Sequence, residues 1–516
     1  TSYTYQLLER DAGSSERTGF GPSDVIYLIT PDRFANGDPS NDHVDDYTDT
    51  TDRADKDSRH GGDLQGIIDH LDYIADMGFT AIWLNPVLEN NMPRTSYHGY
   101  AITDFYKVDP RLGTNEQYRQ LGEMTARRGI KLIMDMVANH CGSAHWWMQD
   151  LPSDDWIHGG GRYIRTNHMR STVQDPYVSP SDKRMFPDGW FVESMPDMNQ
   201  QNPFLATYLI QNSIWWIEYA HLSGIRQDTY SYPDKEFMSH WSCRIMEEYP
   251  RFNIVGEEWS LNPAIVSYWQ KGKVNRDGYT SCLPGLMDFP LQHALVRALK
   301  ENDAIWSDGL IRLYETLAND FLYADPFNLV IFPDNHDMSR FFTQVNEDMD
   351  LFKMGLAYIM TMRGIPQIYY GTEILMANPG TADHGVIRGD FPGGWLHDSV
   401  SGFTGAGLSP EQIQVQQFVK KLLAWRKGTP CIHHGKLVHY APVDAVYVYF
   451  RYDDTEKIMV VLNKNPNDIM LDTKRFEEVT GEVSAIKDIF TGTIHFWDQL
   501  LIPARSAMIL EIPVSQ

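Results

Sequence analysis

Short apolar runs alternate with amphipathic stretches along most of the chain. The apolar runs predict eight strands, at residues 25–29, 81–84, 131–135, 224–228, 253–257, 286–289, 328–332 and 365–370. Hydrophobic residues with a helical period predict helices between them, for example at residues 64–77, 115–128, 204–222 and 235–248. Strands that alternate with helices in this way are typical of α/β proteins with a parallel sheet. The pattern therefore predicts a (β/α)8 TIM barrel.

Two regions depart from this alternation. Residues 139–196 are rich in Gly, Pro, Asp and Trp and contain no strand–helix unit, so we predict a loop-rich insertion after the third strand. Long loops at the C-terminal face of a barrel usually serve its site. Beyond residue 427, short β runs at 447–452, 458–462 and 508–512 predict a C-terminal antiparallel β-sandwich.

These patterns divide the chain into domains. The predicted divisions are a linker or stub of an upstream domain at 1–22, the two parts of the catalytic barrel at 23–138 and 197–427, the inserted domain at 139–196, and the β-sandwich at 428–516.

The charge of the chain limits its partners. The 516 residues carry a net charge of −25, which disfavours nucleic acid and anionic membranes. No apolar run approaches the roughly 18 residues that a membrane span needs. A neutral substrate is compatible with this charge, and we expect no nucleic acid or membrane partner.

The cysteines do not indicate a compartment. Their spacings match neither a zinc site nor a disulfide framework, so we expect free thiols at Cys141, Cys243, Cys282 and Cys431. The compartment stays unknown, and a soluble enzyme of bacterial type in the periplasm or the cytoplasm is favoured.

Acidic and polar residues follow the predicted strands at the positions where barrel enzymes carry their catalytic groups, the C-terminal strand ends. The relevant segments are Asp135-Met-Val-Ala-Asn139-His140, Gly224-Ile-Arg226-Gln-Asp228, Val255-Gly-Glu257-Glu-Trp259 and Asn335-His336-Asp337. Side chains alternate along a strand, so Arg226 and Asp228 share one face and Gln227 takes the other. A guanidinium beside Asp228 would hold that acid ionised. By the same alternation only one of Glu257 and Glu258 faces inward, where apolar or acidic surroundings would raise its pKa.

These segments, in this order, resemble the motifs of the α-amylase superfamily of glycoside hydrolases. A further block, Tyr97-His98-Gly-Tyr100-x-x-x-Asp104, strengthens the resemblance, which covers about residues 23–516. The resemblance implies that Asp228 is the nucleophile, that Glu257 is the general acid/base and that Asp337 binds hydroxyl groups of the distorted sugar. Carboxyl groups about 5–5.5 Å apart would retain the anomeric configuration.

The resemblance also implies residues that contact or frame the substrate. They are Arg226, which tunes the nucleophile, His336, His140, His98, the stacking Tyr100, the supporting Asp135, and Trp259. After Asp228 the chain reads Thr-Tyr-Ser-Tyr232, where many amylases have Lys-His, so binding of the leaving-side glucose should differ.

A turn-rich segment resembles a structural Ca2+ site of cyclodextrin-acting relatives. The residues that offer oxygen ligands are Asn36, Asp38, Asn41, Asp42, Gly61 and Asp63. Ca2+ binds about 6–8 such oxygens. The alternative is a solvated loop, which is what Asx-rich composition usually means.

Two further blocks are similar to cyclomaltodextrinases and neopullulanases: Met195-Pro-Asp-Met-Asn199 and Arg388-Gly-Asp390-Phe-Pro-Gly-Gly-Trp395. They imply hydrolysis of α-1,4 and also α-1,6 bonds in cyclodextrins, malto-oligosaccharides, pullulan or starch. Arg388 and Asp390 are either contacts to a sugar beyond the cleavage point or parts of a structural turn. The N-terminal β-domain through which such enzymes dimerise is absent from the sequence, so a homo-oligomer stays an open expectation.

Two other functions remain as alternatives. One is a transglycosylase or isomerase on the same barrel, such as a trehalose-forming enzyme, because it shares the covalent intermediate. The other is a non-catalytic sugar-binding barrel, which would typically lack one of the three acids.

Overall fold

The computed structural model describes residues 9–513 and contains the predicted barrel. Its parallel strands are Ile26–Ile29, Ala81–Leu84, Lys131–Val137, Gly224–Asp228, Ile254–Gly256, Gly285–Leu286, Val330–Ile331 and Ile365–Tyr369. Each strand pairs with the next along the chain except the sixth and seventh, and the first pairs with the eighth. An isolated parallel bridge from Met287 to Val330 joins the sixth and seventh and nearly closes the cylinder. The (β/α)8 prediction is confirmed.

Helices follow most of the strands. The longer ones are Asn115–Arg127, Pro203–Tyr219, Lys235–Glu248, Phe289–Lys300, Met349–Thr361 and Pro410–Lys427. Shorter ones are Leu64–Asp69, Leu71–Met77, Pro263–Ser267, Ile311–Leu317, Phe341–Gln344, His384–Ile387, Pro430–His434 and Glu477–Thr480. The single helix predicted at 64–77 is divided because His70 has non-helical backbone angles (φ −108°, ψ 13°). The sixth strand is shorter than predicted, because Asp288 caps the helix that begins at Phe289.

Nearly all strand residues are buried because both faces of the barrel sheet are covered. At the lower end of the barrel, Phe20 is 3% exposed and its amide donates to the Ser223 carbonyl at 3.1 Å. A side chain at Gly224 would bring its Cβ to 2.3 Å from the Phe20 ring, so the strand needs glycine there. The chain before the first strand thus closes the end opposite the site.

Irregular segments form the walls at the upper end of the barrel, where the strands have their C-terminal ends. After the second strand a two-stranded ribbon, Leu88–Glu89 with Asp104–Val108, encloses the turn that carries His98 and Tyr100. After the third strand, the insertion consists of 3-10 turns, one helix at Pro180–Met185 and isolated bridges. Its irregular backbone agrees with the predicted lack of strand–helix units.

The C-terminal region is an antiparallel β-sandwich, as predicted. Its strands are Lys436–Val443, Val446–Tyr452, Lys457–Asn463, Ile469–Met470, Ala485–Asp488, Ile494–Phe496, Leu501–Ile502 and Ser506–Ile512. Six of them form one sheet, and Ile469–Met470 pairs with Leu501–Ile502 in a second. Alternate side chains of the larger sheet form a separate apolar core with those of the smaller one.

One expectation about the cysteines is wrong. Cys243 and Cys282 form a disulfide, with their Cα atoms 4.8 Å apart, whereas Cys141 and Cys431 are buried free thiols. Spacing in the sequence concealed the pair because the barrel brings the helix Lys235–Glu248 against the segment that precedes the sixth strand. The two cysteines are 39 positions apart in the chain.

Within residues 9–513 no helix has the length and apolar character to cross a membrane. The predicted segment 1–22 lies partly outside the described residues, since residues 1–8 are not described. The predicted domain boundaries stay predictions.

Candidate active site

The register of the central strands places three charged side chains together. Asp135 of the third strand pairs with Arg226 of the fourth, and Val137 pairs with Asp228. Because alternate residues share a face, Asp135, Arg226 and Asp228 all point into the barrel. Arg226 Nη1 donates to Asp135 Oδ1 at 2.9 Å and to Asp228 Oδ1 at 2.7 Å.

The same arginine reaches the fifth strand. Arg226 Nη2 lies 2.9 Å from Glu257 Oε2. Thr229 has a left-handed backbone (φ +42°), and its amide donates to Glu257 Oε2 at 2.9 Å while its hydroxyl donates to Asp228 Oδ2 at 3.1 Å. Such backbone strain is often found at functional sites. Asp228 and Glu257 are therefore held by the same two residues.

Glu258 takes the other face, as side-chain alternation requires. Its side chain is buried and accepts a hydrogen bond from Trp269 Nε1 at 2.9 Å. Gln227, on the outer face of the fourth strand, packs in the layer between the barrel and its helices, near Trp241.

The third acid approaches from the seventh strand. Asp337 Oδ2 lies 3.0 Å from His336 Nε2, and Asp337 Oδ1 lies 2.6 Å from Arg388 Nη2. Arg388 Nε also donates to the His336 carbonyl at 2.9 Å. These contacts hold the Asp337 carboxylate at the cavity wall.

The three acids differ in electrostatics. Burial raises the pKa of Asp228, and Arg226 counteracts part of the rise. Burial likewise raises the pKa of Glu257 against the effect of Arg226, and the charges of Asp228 and Asp337 add to that rise. Burial also acts to raise the pKa of Asp337, but His336 and Arg388 overcome it and hold this pKa well below its usual range. We expected the Arg226 guanidinium to hold Asp228 ionised; it does act to lower the pKa of Asp228, but the effect of burial is larger and this pKa is raised.

These groups open on a cavity of about 440 Å³. The lining residues are His98, Tyr100, His140, Arg170, Phe191, Met195, Asp228, Thr229, Ser231, Tyr232, Glu257, Trp259, Asp337, His384 and Arg388. Burial lowers the pKa of His98 to about 3 and that of His140 to about 4, so both rings are neutral at neutral pH. Among the described residues, His140 Nε2 has no hydrogen-bond partner, which leaves it available to a ligand.

Three of the predicted residues, Asp135, His336 and Arg226, lie behind the cavity wall. Tyr100 lies at the wall, and its hydroxyl contacts Asp135 Oδ2 at 2.8 Å and His336 Nε2 at 2.7 Å. Asp135 is 1% exposed, and burial raises its pKa to about 7. Arg226 lies beside it. Asp135, His336 and Arg226 therefore hold the lining groups in place rather than face the cavity.

The last two predicted residues, Arg388 and Asp390, lie in different surroundings. Arg388 lines the cavity, whereas Asp390 lies outside the lining, with Oδ1 2.5 Å from His60 Nδ1 and Oδ2 2.8 Å from Arg53 Nε. Trp395 stacks on Arg53, with the guanidinium carbon 4.1 Å from the ring centroid. These contacts favour the alternative in which Asp390 is part of a structural turn.

The candidate calcium loop brings its oxygen atoms together. Asp42 accepts from Asn36 Nδ2 at 2.9 and 3.0 Å, and burial raises the pKa of Asp42 to about 6. Within the described residues, Asn36 Oδ1 and Asn41 Oδ1 are buried without a hydrogen-bond partner. Gly61 has φ +87°, and a Cβ there would lie 2.4 Å from Asp42 Oδ1.

The acids of this loop are not equivalent. Both oxygens of Asp63 accept backbone hydrogen bonds, from Gly37, Asp38 and Gly66, so Asp63 caps the following helix. Asp38 accepts from Ser40 and is only partly buried. Within residues 9–513 no cluster of three or more His, Cys, Asp or Glu is arranged to hold a metal ion. Any ligand set here depends on amide and carbonyl oxygens as well.

Comparison with known proteins identifies the family of this chain. The sequence profile of the alpha-amylase catalytic domain matches residues 28–469. The chain belongs to the alpha-amylase family. A profile of the cyclo-malto-dextrinase C-terminal domain matches residues 437–511, which are most of the C-terminal β-sandwich.

Individual relatives in the alpha-amylase family are distant in sequence. A cyclomaltodextrinase of Thermoanaerobacter pseudethanolicus is 29% identical over 86% of this chain and 70% of its own length. A beta/alpha-amylase of Paenibacillus polymyxa is 28% identical over 86% of this chain, which spans only 33% of that protein. The crystal structure of the Geobacillus thermoleovorans alpha-amylase in complex with acarbose is 28% identical, with a TM-score of 0.77, and covers 97% of this chain and 100% of its own.

Several lining residues of this alpha-amylase family member were not predicted as site residues. They are Arg170, Phe191, Met195, Thr229, Ser231, Tyr232 and His384. Arg170, Phe191 and Met195 come from the insertion, whose length predicted a role at the site but whose sequence has no periodicity to indicate which side chains face inward. Thr229, Ser231 and Tyr232 lie within four residues after Asp228, and that proximity was the available signal.

Proposed function

We propose that the chain is a retaining hydrolase of α-1,4 glucosidic bonds, with α-1,6 bonds as secondary substrates. The observation that carries the proposal is the binding of Asp228 and Glu257 by one guanidinium at a cavity wall. Two carboxyl groups on one planar fork are close enough to act on the same bond. Arg226 and Thr229 contact both acids, so charge supports the different roles: the charges of Asp228 and Asp337 both act to raise the pKa of Glu257, which favours its protonated form.

Each side chain has a defined part in the proposed reaction. Asp228 Oδ attacks the anomeric carbon as the bond from that carbon to the leaving oxygen breaks, and Glu257 gives its proton to that oxygen. Glu257 then takes a proton from water, the water oxygen attacks the anomeric carbon, and the ester bond to Asp228 breaks. Burial raises the pKa of Glu257, which favours the protonated form needed in the first step.

Asp337 serves as the charged anchor of the substrate. His336 and Arg388 keep its pKa low against the effect of burial, so it stays ionised and can accept hydrogen bonds from sugar hydroxyl groups. Such bonds help to distort the ring and can strengthen as the reaction proceeds. His98 and His140 are neutral and present polar atoms without adding charge.

We infer malto-oligosaccharides and cyclodextrins as the substrate class. Aromatic side chains at the cavity wall, including Phe191, Tyr232 and Trp259, offer flat surfaces to the apolar faces of glucose units. The cyclomaltodextrinase relative supports cyclodextrins among the substrates.

Rates on β-cyclodextrin, pullulan and soluble starch, with chromatography and anomeric NMR of the products, test the proposal. We expect short malto-oligosaccharides that first appear as the α-anomer. A first-formed β-anomer would contradict retention. Products longer than the substrate would instead support the transglycosylase alternative, and a protein inactive on every α-glucan would support the non-catalytic one.

We also propose that the loop around Asn36 binds a structural Ca2+. The buried, unpartnered oxygens of Asn36 and Asn41 and the Asp42 carboxylate, against which Gly61 packs closely, fit an oxygen-preferring cation. A bound cation would neutralise the carboxylate whose pKa burial raises. Removal of calcium with EDTA should lower the melting temperature, and added Ca2+ should restore it. Asp42→Asn should remove that response, and an EDTA effect of unchanged size in the variant would contradict this site.

A further inference from the structure

A buried acid stands directly behind the proposed general acid and takes no part in the chemistry above. Glu258 follows Glu257 and points away from the cavity, with a side chain that is 0% exposed. Its Oε2 accepts from Trp269 Nε1 at 2.9 Å, and burial raises its pKa to about 7. A carboxyl group in such a place is costly unless it has partners, which suggests that it is retained for what it holds.

The charged partner of Glu258 comes from the insertion. Arg170 Nε lies 3.5 Å from Glu258 Oε1, and the Arg170 side chain is 34% exposed and lines the cavity. A guanidinium has five N–H donors in a rigid fork. Arg170 Nε faces Glu258, and the same guanidinium also interacts with the Tyr232 side chain at the cavity wall.

Two arginines line the cavity, and they contact different acids. Arg388 contacts Asp337, whereas Arg170 contacts the neighbour of Glu257. Since the general acid protonates the oxygen of the departing sugar, the leaving sugar belongs at the end near Glu257.

The wall at the leaving end is otherwise neutral. The segment Thr229-Tyr-Ser-Tyr232 has no charged side chain, and the Tyr232 and Phe191 rings pack with centroids 5.2 Å apart. Burial raises the pKa of Tyr232, and the charge of Arg170 counteracts that rise, which reflects how near the two groups are. Arg170 thus brings a cation to this wall from a different part of the chain.

We propose that Arg170 donates hydrogen bonds to hydroxyl groups of the leaving glucose unit, and that Glu258 is the positioning residue that holds Arg170 there. The proposal rests on the proposed hydrolase function and adds a specificity determinant for the leaving side. Arg170 is a binding residue, and Glu258 acts only through it.

The test compares two substrates that differ in the leaving group. Maltotetraose presents a leaving sugar, whereas α-maltosyl fluoride releases fluoride and presents none. For Arg170→Ala we expect the loss in kcat/KM on maltotetraose to exceed the loss on the fluoride at least tenfold. Equal losses on the two substrates would overturn the inference. Arg184→Ala, on the exposed surface of the Pro180–Met185 helix, is the matched control and should behave as the wild type.

The result also separates this inference from the proposed function. A wild-type protein inactive on both substrates would overturn the hydrolase proposal itself. A wild-type protein active on both, with equal losses in Arg170→Ala, would overturn only the role of Arg170.

Glu258→Gln tests the positioning role. We expect the same substrate preference as in Arg170→Ala, mainly through a higher KM on maltotetraose. In the Arg170→Ala background it should add less than twofold to the loss on maltotetraose, because the proposed route from Glu258 to the leaving sugar runs through Arg170. Fully additive losses would overturn the positioning role. If Glu258→Gln does not fold, Arg170→Lys replaces it, since this variant keeps the charge but loses the fork and should lose most of the preference.

Discussion

Two buried arginines each bind more than one carboxylate, yet only one of them belongs to the candidate active site. Both side chains are about 1% exposed, so burial does not distinguish them. The partners are Asp135, Asp228 and Glu257 for Arg226, and Asp288 and Asp320 for Arg363. The difference lies in how many acids share each guanidinium and in what those acids face.

The Arg226 cluster has too few positive charges and opens on a cavity. Three carboxylates share its guanidinium. Burial and the charges of Asp228 and Asp337 together raise the pKa of Glu257 against the effect of Arg226, which favours the protonated form of Glu257. Arg363 has two carboxylates with structural duties, since Asp288 caps the helix Phe289–Lys300 and Asp320 belongs to the loop before the seventh strand. A buried ion pair is therefore weak evidence of function by itself, whereas surplus charge at a cavity wall is stronger evidence.

The largest effect should follow from removal of the proposed nucleophile. Asp228→Asn should lower kcat/KM on malto-oligosaccharides by roughly 10⁴-fold, because the amide cannot form the ester intermediate. The melting temperature should not fall. The matched control is Asp320→Asn in the Arg363 cluster, which should keep activity within about twofold. Activity of Asp228→Asn near that of the wild type would remove the basis for calling the Arg226 cluster catalytic.

Loss of Arg363 should have the opposite signature. Arg363→Met leaves Asp288 and Asp320 without their cation, and breaking a buried pair in this way costs about 3–5 kcal/mol of unfolding free energy. Urea denaturation measures this loss. At temperatures where the variant stays folded, kcat/KM should change little. A loss of activity without a loss of stability would mean that the two clusters are not functionally distinct.

The sequence predicted the barrel and the acids of the Arg226 cluster because both depend on local patterns. Apolar runs indicate strands, and the alternation of side chains placed Arg226 and Asp228 on one face. Partners far apart in the chain have no such pattern. Neither the Cys243–Cys282 disulfide nor the contact of Arg170 with Glu258 could be found from spacing, because each depends on how distant segments pack.

The roles of individual loop residues were also beyond the sequence. Arg388 and Asp390 are two positions apart, yet Arg388 lines the cavity and Asp390 bonds to His60 and Arg53. In a loop there is no fixed period to indicate which side chain turns inward.

Reduction of the disulfide, which lies outside both arginine clusters, should have a smaller effect on stability. Reduction of the Cys243–Cys282 bond should lower the unfolding free energy by about 2–4 kcal/mol, because it frees a long loop in the unfolded chain. The measurement is thermal unfolding with and without dithiothreitol, and Cys243→Ser/Cys282→Ser should abolish the difference. Cys431→Ser, which removes a buried free thiol, is the control that should keep the response to reductant. A protein insensitive to reductant would contradict the bond.

The smallest predicted effect is a gain in stability when one acid of the Arg226 cluster is made neutral. Glu257→Gln should abolish most of the activity but raise the unfolding free energy at neutral pH by about 1 kcal/mol, as often happens when a strained active-site group is removed. The reason is that burial raises the folded-state pKa of Glu257 above the unfolded value of about 4.3. The wild type therefore loses stability as the pH rises from the unfolded pKa through the folded one.

This sign makes the prediction specific to pH. At a pH below about 4.3, Glu257 is protonated in both states, so the variant and the wild type should differ little there. The gain of the variant should grow as the pH rises and level off above the folded pKa. Arg363→Met should instead destabilise the protein, because it leaves Asp288 and Asp320 without their cation. A Glu257→Gln variant that is less stable than the wild type at neutral pH would mean that Arg226 fully balances Glu257, and the surplus charge that distinguishes this cluster would not exist.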